Sequence, residues 1–274
     1  MAKLTRRLWV GIGAASLVGI PVQATAVAQE PAHKGHHQPA ATGDSPSETA
    51  AAGGEAYLTD GGPRDTRIRF YRDIELMRGH LLIGGELVEL GLWDEAMPHF
   101  LHPTEELYGL LEKYLKPHGI PPFRRDLLAL AQTVKAKRKG AYLRSLEVVQ
   151  RRLDAAMLTA RKFMTPPYRF TVKSAVEVLR VAQAEYEASI EDGKFKLPVE
   201  YQDSRGFVWR AERMIESVAG TLGKLDAQGL QRVRSDFAQL KAAWPAPMPP
   251  AAPVMEPGRM SALISSIELH MSKY

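Results

Sequence analysis

The sequence predicts an all-α helical bundle, and three observations lead there. Apolar residues recur at three- and four-residue steps from Asp65 almost to the C-terminus. The stretches are separated by Pro and Gly clusters of the kind that end helices. No Val/Ile/Thr alternation bounded by hairpin turns interrupts them.

Two segments precede the periodic region. Residues 1–28 carry Lys3, Arg6 and Arg7 and no acid, run apolar from Leu8 to Val22, and end in Ala26-Val27-Ala28. This is the pattern of a signal peptide cut after Ala28. Gly11, Gly13, Gly19 and Pro21 break the apolar stretch, which is too short for a comfortable membrane span. Thr5-Arg6-Arg7-Leu8-Trp9 resembles the twin-arginine export signature, with Trp where that pattern prefers Phe. Paired arginines also suit the general route, so both stay open. Residues 29–64 are rich in Ala, Gly, Pro, Ser and Thr, with Tyr57 and Leu58 as their only large apolar side chains. Such a segment buries too little to offset its ordering entropy, and a disordered linker is expected.

The first helix is expected from Asp65 to Leu90, closed by Gly91 in the left-handed conformation. Trp93–Leu101 reads as a short second helix. Pro103 suits the first position of a third, with His102 as N-cap, Glu105 at the third position and an end near Lys116. Helices follow over 123–139 and 142–164. After Thr165-Pro166-Pro167 come helices over 171–191, capped by Asp192-Gly193, then 198–222 and 226–244. A Pro-rich linker over 245–253 leads to a last helix, 259–272, with Leu263, Ile264, Ile267 and Leu269 as a docking stripe. Ile74-Glu75-Leu76-Met77-Arg78 is echoed by Val176-Glu177-Val178-Leu179-Arg180, which places Gly91 on Gly193. Two related helical halves, 65–164 and 165–274, follow from that alignment.

Composition narrows the chemistry. The chain of 274 residues has no cysteine, which excludes disulfides, thiolate zinc sites, iron–sulfur clusters and cysteine nucleophiles. Its formal net charge is +5, and loss of the three leader cations leaves the remainder near +2. That is weak support for a nucleic-acid surface. Gly-x-Ser-x-Gly, His-Glu-x-x-His, phosphate-loop and dinucleotide motifs are all absent, so no enzymatic turnover is expected.

The richest stretch is 78–108. It gathers His80, His99 and His102 with Glu86, Glu89, Glu95, Glu105 and Glu106. Imidazole and carboxylate are the donors that suit iron or zinc without cysteine, and helical bundles build such sites from facing helices. His80, Glu86, His99, His102 and Glu105 are therefore the candidate ligands of a divalent metal ion. A competing reading makes His102 and Glu105 a helix cap and His80 a packing residue. Gly84-Gly85 is expected to permit close approach of a helix or of a ligand.

A second feature is the polar, aromatic run Tyr201-Gln202-Asp203-Ser204-Arg205-Gly206 in mid-helix. Tyr201, Asp203 and Arg205 are candidates to face a binding cleft. The competing reading pairs Asp203 with Arg205 or Arg210 on a packed surface. Glu89 to Ala96, with Gly91 and Trp93, resembles the helix junction of tetratricopeptide repeats. It supports the alternative of an interaction module whose Trp93 hairpin docks an exported partner without metal.

A signal peptide, a polar tail and two helical halves with a His/Glu cluster in the first resemble exported bacterial helical-bundle proteins of the imelysin type. The resemblance implies a periplasmic or secreted protein that handles iron or another metal by binding. The Gly-x-His-x-x-Glu motif of imelysins is absent: Gly79-His80 is followed by Leu81-Leu82-Ile83, and the next carboxylate is Glu86.

Overall fold

A computed structural model describes Leu58 and residues 62–274. The expected signal peptide, 1–28, lies outside the described residues, and so does the expected linker apart from Leu58 and residues 62–64. Leu58 is buried in the core, so this one residue of the tail does pack.

The fold is all-α. Helix α1 spans Thr66–Glu89 and starts at Asp65, whose side chain accepts from the Arg67 amide. Gly91, at φ 78°, reverses the chain into α2, Trp93–His102. A π turn, Pro103–Leu107, and α3, Tyr108–Leu115, continue the same helical path. Next come α4 (Arg124–Lys135), α5 (Lys139–Arg161) and α6 (Pro167–Ala188). The sequence led us to expect one helix over 198–222. It is instead α7, Pro198–Ser217, and α8, Ala219–Leu225, interrupted at Val218. Helix α9, Ala227–Leu240, is capped by Asp226, and α10, Pro257–Met271, ends the chain.

Three local expectations are corrected. Asp192-Gly193 does not cap α6 but forms the tip of a tiny hairpin, β1 (Ile190–Glu191) with β2 (Lys194–Phe195). Both tip residues have positive φ, 51° and 69°, as a two-residue hairpin turn demands. Leu269 is exposed, and only Leu263, Ile264 and Ile267 of the expected stripe are buried. His102 is not an N-cap. Its backbone and that of Pro103 are both helical, and its side chain makes no cap bond. Proline fixes φ near the helical value but lacks an N–H, and the wider π turn absorbs the missing bond without breaking the helix.

Two helical hairpins, α1–α2 and α6–α7, pack face to face. Helices α1, α6 and α7 all pack against one another, α4 covers α2, and α10 covers α6 and α9. The α1–α7 crossing is unusually close: a Cβ added to Gly206 would lie 2.5 Å from the Gly79 carbonyl oxygen. A Cβ added to Gly84 would meet the Phe100 ring of α2 at 2.7 Å, which accounts for one glycine of the Gly84-Gly85 pair. The tight crossing matters because His80 follows Gly79 and Asp203 lies one turn before Gly206. Among the described residues no helix is long and apolar enough to cross a membrane.

Candidate metal centre

The two hairpins meet over a single carboxylate. Asp203 of α7 accepts from three imidazoles of the first hairpin. Its Oδ1 lies 2.6 Å from His80 Nδ1 and 2.8 Å from His99 Nδ1, and its Oδ2 lies 3.1 Å from His102 Nδ1. His80 comes from mid-α1, and His99 and His102 come from one face of α2, three residues apart. The second ring nitrogen of His99 faces Gln202 Oε1 at 2.9 Å, so His99 is tied at both ends by α7. His80 packs edge-to-face on Phe207, which sets its ring plane.

Burial opposes charge here, and the balance differs at each group. Burial would raise the pKa of Asp203, but the charges of His80 and His99 and the hydrogen bonds from His102 and His80 hold it well below the usual carboxylate range. Burial wins at His80 and pushes its pKa down despite Asp203. At His102 burial also pulls downward, yet the hydrogen bond and charge of Asp203, with Glu106 and Glu185, push the pKa up to about 9. His102 is the least buried of the three imidazoles, with its side chain 20% exposed.

Further carboxylates gather around His102. Glu106, one turn later across the π turn, places Oε1 3.6 Å from His102 Nδ1. Glu185 of α6 is held well above the usual range, by burial first and then by Asp203, Glu106 and Glu200. Glu200, at the start of α7, is raised by burial and by Asp203. With no ion bound, the positive charge among these acids is that of protonated His102.

The donor set fits a transition-metal ion. One ligand atom each of His80, His102 and Asp203 lie within 4.8 Å of one another. Metal–ligand bonds of about 2.0–2.2 Å place neighbouring donor atoms roughly 3.0–3.5 Å apart. The separation of 3.1 Å between His102 Nδ1 and Asp203 Oδ2 meets that spacing, while His80 Nδ1 lies closer, at 2.6 Å, to the other oxygen, Oδ1.

Of the residues expected as ligands, His80, His99 and His102 converge. Glu86 does not join them: its two oxygens take Arg205 Nη2 at 2.7 Å and Nε at 3.2 Å. Glu105 is exposed on the outer side of the π turn. The expected cleft residues also separate. Asp203 sits at the centre. Tyr201 is fully buried and donates to the Ala246 carbonyl. Arg205 lies over the Trp209 ring as well as on Glu86. Arg210 pairs with Glu75. The Asp203–Arg205 and Asp203–Arg210 pairs are thus replaced by longer-range ones. Trp93 is half-buried, edge-to-face on Tyr142, within the packing of the first hairpin. Sequence reading noted Glu106 and Gln202 within their stretches without making either a candidate, and did not single out Glu185 or Glu200. The i,i+4 spacing of His102 and Glu106 was the available signal for Glu106, hidden by reading Pro103 as a helix start.

Residues 168–274 match the family model of the iron permease-associated 4-helix bundle domain. The match covers α6 to α10 and so includes Asp203, but none of the three histidines. No curated protein and no solved structure matches the chain. A helical bundle with an iron-related link therefore stands, and this match does not itself show the imelysin resemblance.

Proposed function

We propose that this chain is an exported, periplasmic metal-binding protein that takes up a divalent ion, iron before zinc, where its two hairpins meet. The observation that carries this is the convergence of three imidazoles from one hairpin on a buried carboxylate from the other. His80, His102 and Asp203 hold the ion. His99, bonded at both ring nitrogens, orients Asp203, and outer-shell bonds of that kind tune a site strongly. Glu106, Glu185 and Glu200 lie within electrostatic reach of His102, and acids there favour a cation. The iron permease-associated match makes iron the first ion to test and a permease, or another exported protein that delivers or receives the ion, the partner. The chain works by binding, not turnover.

Anaerobic calorimetric titration of the mature protein with ferrous iron and with zinc tests this. One equivalent should bind. Asp203→Asn and His102→Ala should each weaken binding by at least about tenfold while far-UV circular dichroism stays unchanged. A parent protein that binds neither ion, or variants that bind as tightly as the parent, would overturn the proposal. The metal-free interaction module would then be the better reading.

A further inference from the structure

A cavity of about 560 Å3 opens beside the first two turns of α1, where they pack against α3. Its size is that of a small-molecule site. Leu58, Phe70, Leu110 and Leu111 give it an apolar wall. Arg69 and Lys113 line it with exposed side chains, and Arg72 lines it from within the core, 1% exposed.

The buried arginine is half used. Its Nε and Nη2 both reach Asp73 Oδ1 at 2.7 Å, while Nη1 is buried with no hydrogen-bond partner. The Tyr114 hydroxyl, on the same cavity, is likewise buried and without a partner. The Tyr114 ring is fixed between Phe70, at 4.2 Å, and His118, at 3.7 Å. A buried guanidinium N–H without an acceptor is unfavourable, and each such orphan in a folded protein calls for a missing partner. The fitting partner accepts hydrogen bonds and carries negative charge, because Arg69, Arg72 and Lys113 outnumber Asp73, the one acid among the described residues that line the cavity.

We propose that this cavity binds a small organic carboxylate. The carboxylate end would lie against Lys113 and Arg69 and take Arg72 Nη1 as that covered atom turns toward the cavity, and the hydrocarbon or aromatic body would lie on the leucine and phenylalanine wall. An inorganic phosphate matches the charges but leaves that wall against a fully hydrated ion. None of these residues belongs to the metal centre, so the site stands whether or not that reading holds.

Calorimetric titration of the mature protein with benzoate, hexanoate and inorganic phosphate tests the assignment. Benzoate or hexanoate should bind with Kd below about 1 mM, and phosphate at least about tenfold more weakly. Lys113→Gln, an exposed change that leaves the fold alone, should weaken carboxylate binding about three- to tenfold and flatten its salt dependence. The double variant Arg72→Gln, Asp73→Asn removes both buried charges together, so neither is stranded, and should abolish binding. If that variant fails to fold, Arg69→Gln combined with Lys113→Gln carries the test. His102→Ala should bind benzoate like the parent. Absence of carboxylate binding, phosphate binding as tight as benzoate, or rim variants that bind like the parent would overturn the proposal.

Discussion

Gly206→Ala perturbs the crossing of α1 and α7 without altering any donor of the metal centre. The new Cβ would sit 2.5 Å from the Gly79 carbonyl oxygen and 3.1 Å from its carbonyl carbon. A methyl–carbonyl contact relaxes at about 3.4 Å, so the two backbones must part by roughly 0.9 Å. Neither neighbour is a flexible side chain that could swing aside. His80 follows Gly79, and Asp203 lies one turn from Gly206, so the same displacement reaches their 2.6 Å hydrogen bond and lengthens it to about 3.5 Å, beyond useful range. Overpacking costs about 1–3 kcal/mol, and loss of a bond to a charged group about 1.5–3 kcal/mol. The helix gain of alanine over glycine returns about 1 kcal/mol. The net loss is about 1.5–5 kcal/mol, or a fall in Tm of roughly 3–20 °C for a chain of this size. Gly109→Ala is the matched control. Gly109 is an exposed residue of α3, and its added Cβ meets nothing within 4 Å. Its substitution should stabilise by up to about 1 kcal/mol. Chelator-treated protein would be unfolded by heat and by urea, then titrated with zinc. A Gly206→Ala protein as stable as the Gly109→Ala protein, with unchanged zinc affinity, would refute the argument that the glycine crossing sets the site.

Two further outcomes follow from the same geometry. In metal-free protein His102 has a raised pKa, so its contribution is complete below about pH 6.5 and is lost as pH rises through about 9. That is about 3 kcal/mol on the alkaline side. His80 is depressed and therefore acts below pH 6.5, outside this window. Urea unfolding of parent and His102→Gln from pH 6.5 to 9.5 checks it, and parallel curves would be the contrary result. Glu86→Gln should cost about 1 kcal/mol, because it removes the charge from a partly buried, two-bond contact with Arg205. Its zinc affinity should stay within about twofold of the parent, and a tenfold loss would put Glu86 back among the ligands.

How far the site could be read in advance depends on sequence distance. His99 and His102 share a face at three-residue spacing, so local periodicity was enough to group them, and Gly91 placed α2 back against α1 and His80. The partner of all three, Asp203, is more than 100 residues away. Its selection rests on the register between two hairpins. That register is set by the contact of Gly79 with Gly206, which no helical period encodes. The pairing of Asp203 with Arg205 failed for the same reason. Residues two apart on a helix point to different sides, and Arg205 instead reaches Glu86 on α1. The π turn was hidden because Pro103 is as compatible with helix initiation as with an uninterrupted path. All-α class, by contrast, needs only local spacing and was legible throughout the described residues.

The distribution of donors between the hairpins bears on which ion they suit. The segment that matches the iron permease-associated domain supplies Asp203, Glu185 and Glu200, all oxygen donors. Oxygen alone favours calcium, magnesium or manganese, whereas imidazole shifts preference toward iron and zinc. The imidazoles come from the first hairpin, which lies outside the match. The two hairpins share a plan. Each begins with a long helix carrying a Glu–Arg pair at i,i+3, Glu75 with Arg78 and Glu177 with Arg180. Each of those helices is followed by a turn through a glycine at positive φ, Gly91 and Gly193. At the facing positions they differ: one presents histidines and the other acids. Neither hairpin alone offers a mixed nitrogen and oxygen set around a buried carboxylate. On the proposed metal-binding reading, selectivity for a transition metal would be a property of the α1–α7 crossing, and the two glycines that permit it would belong to the centre as much as its ligands.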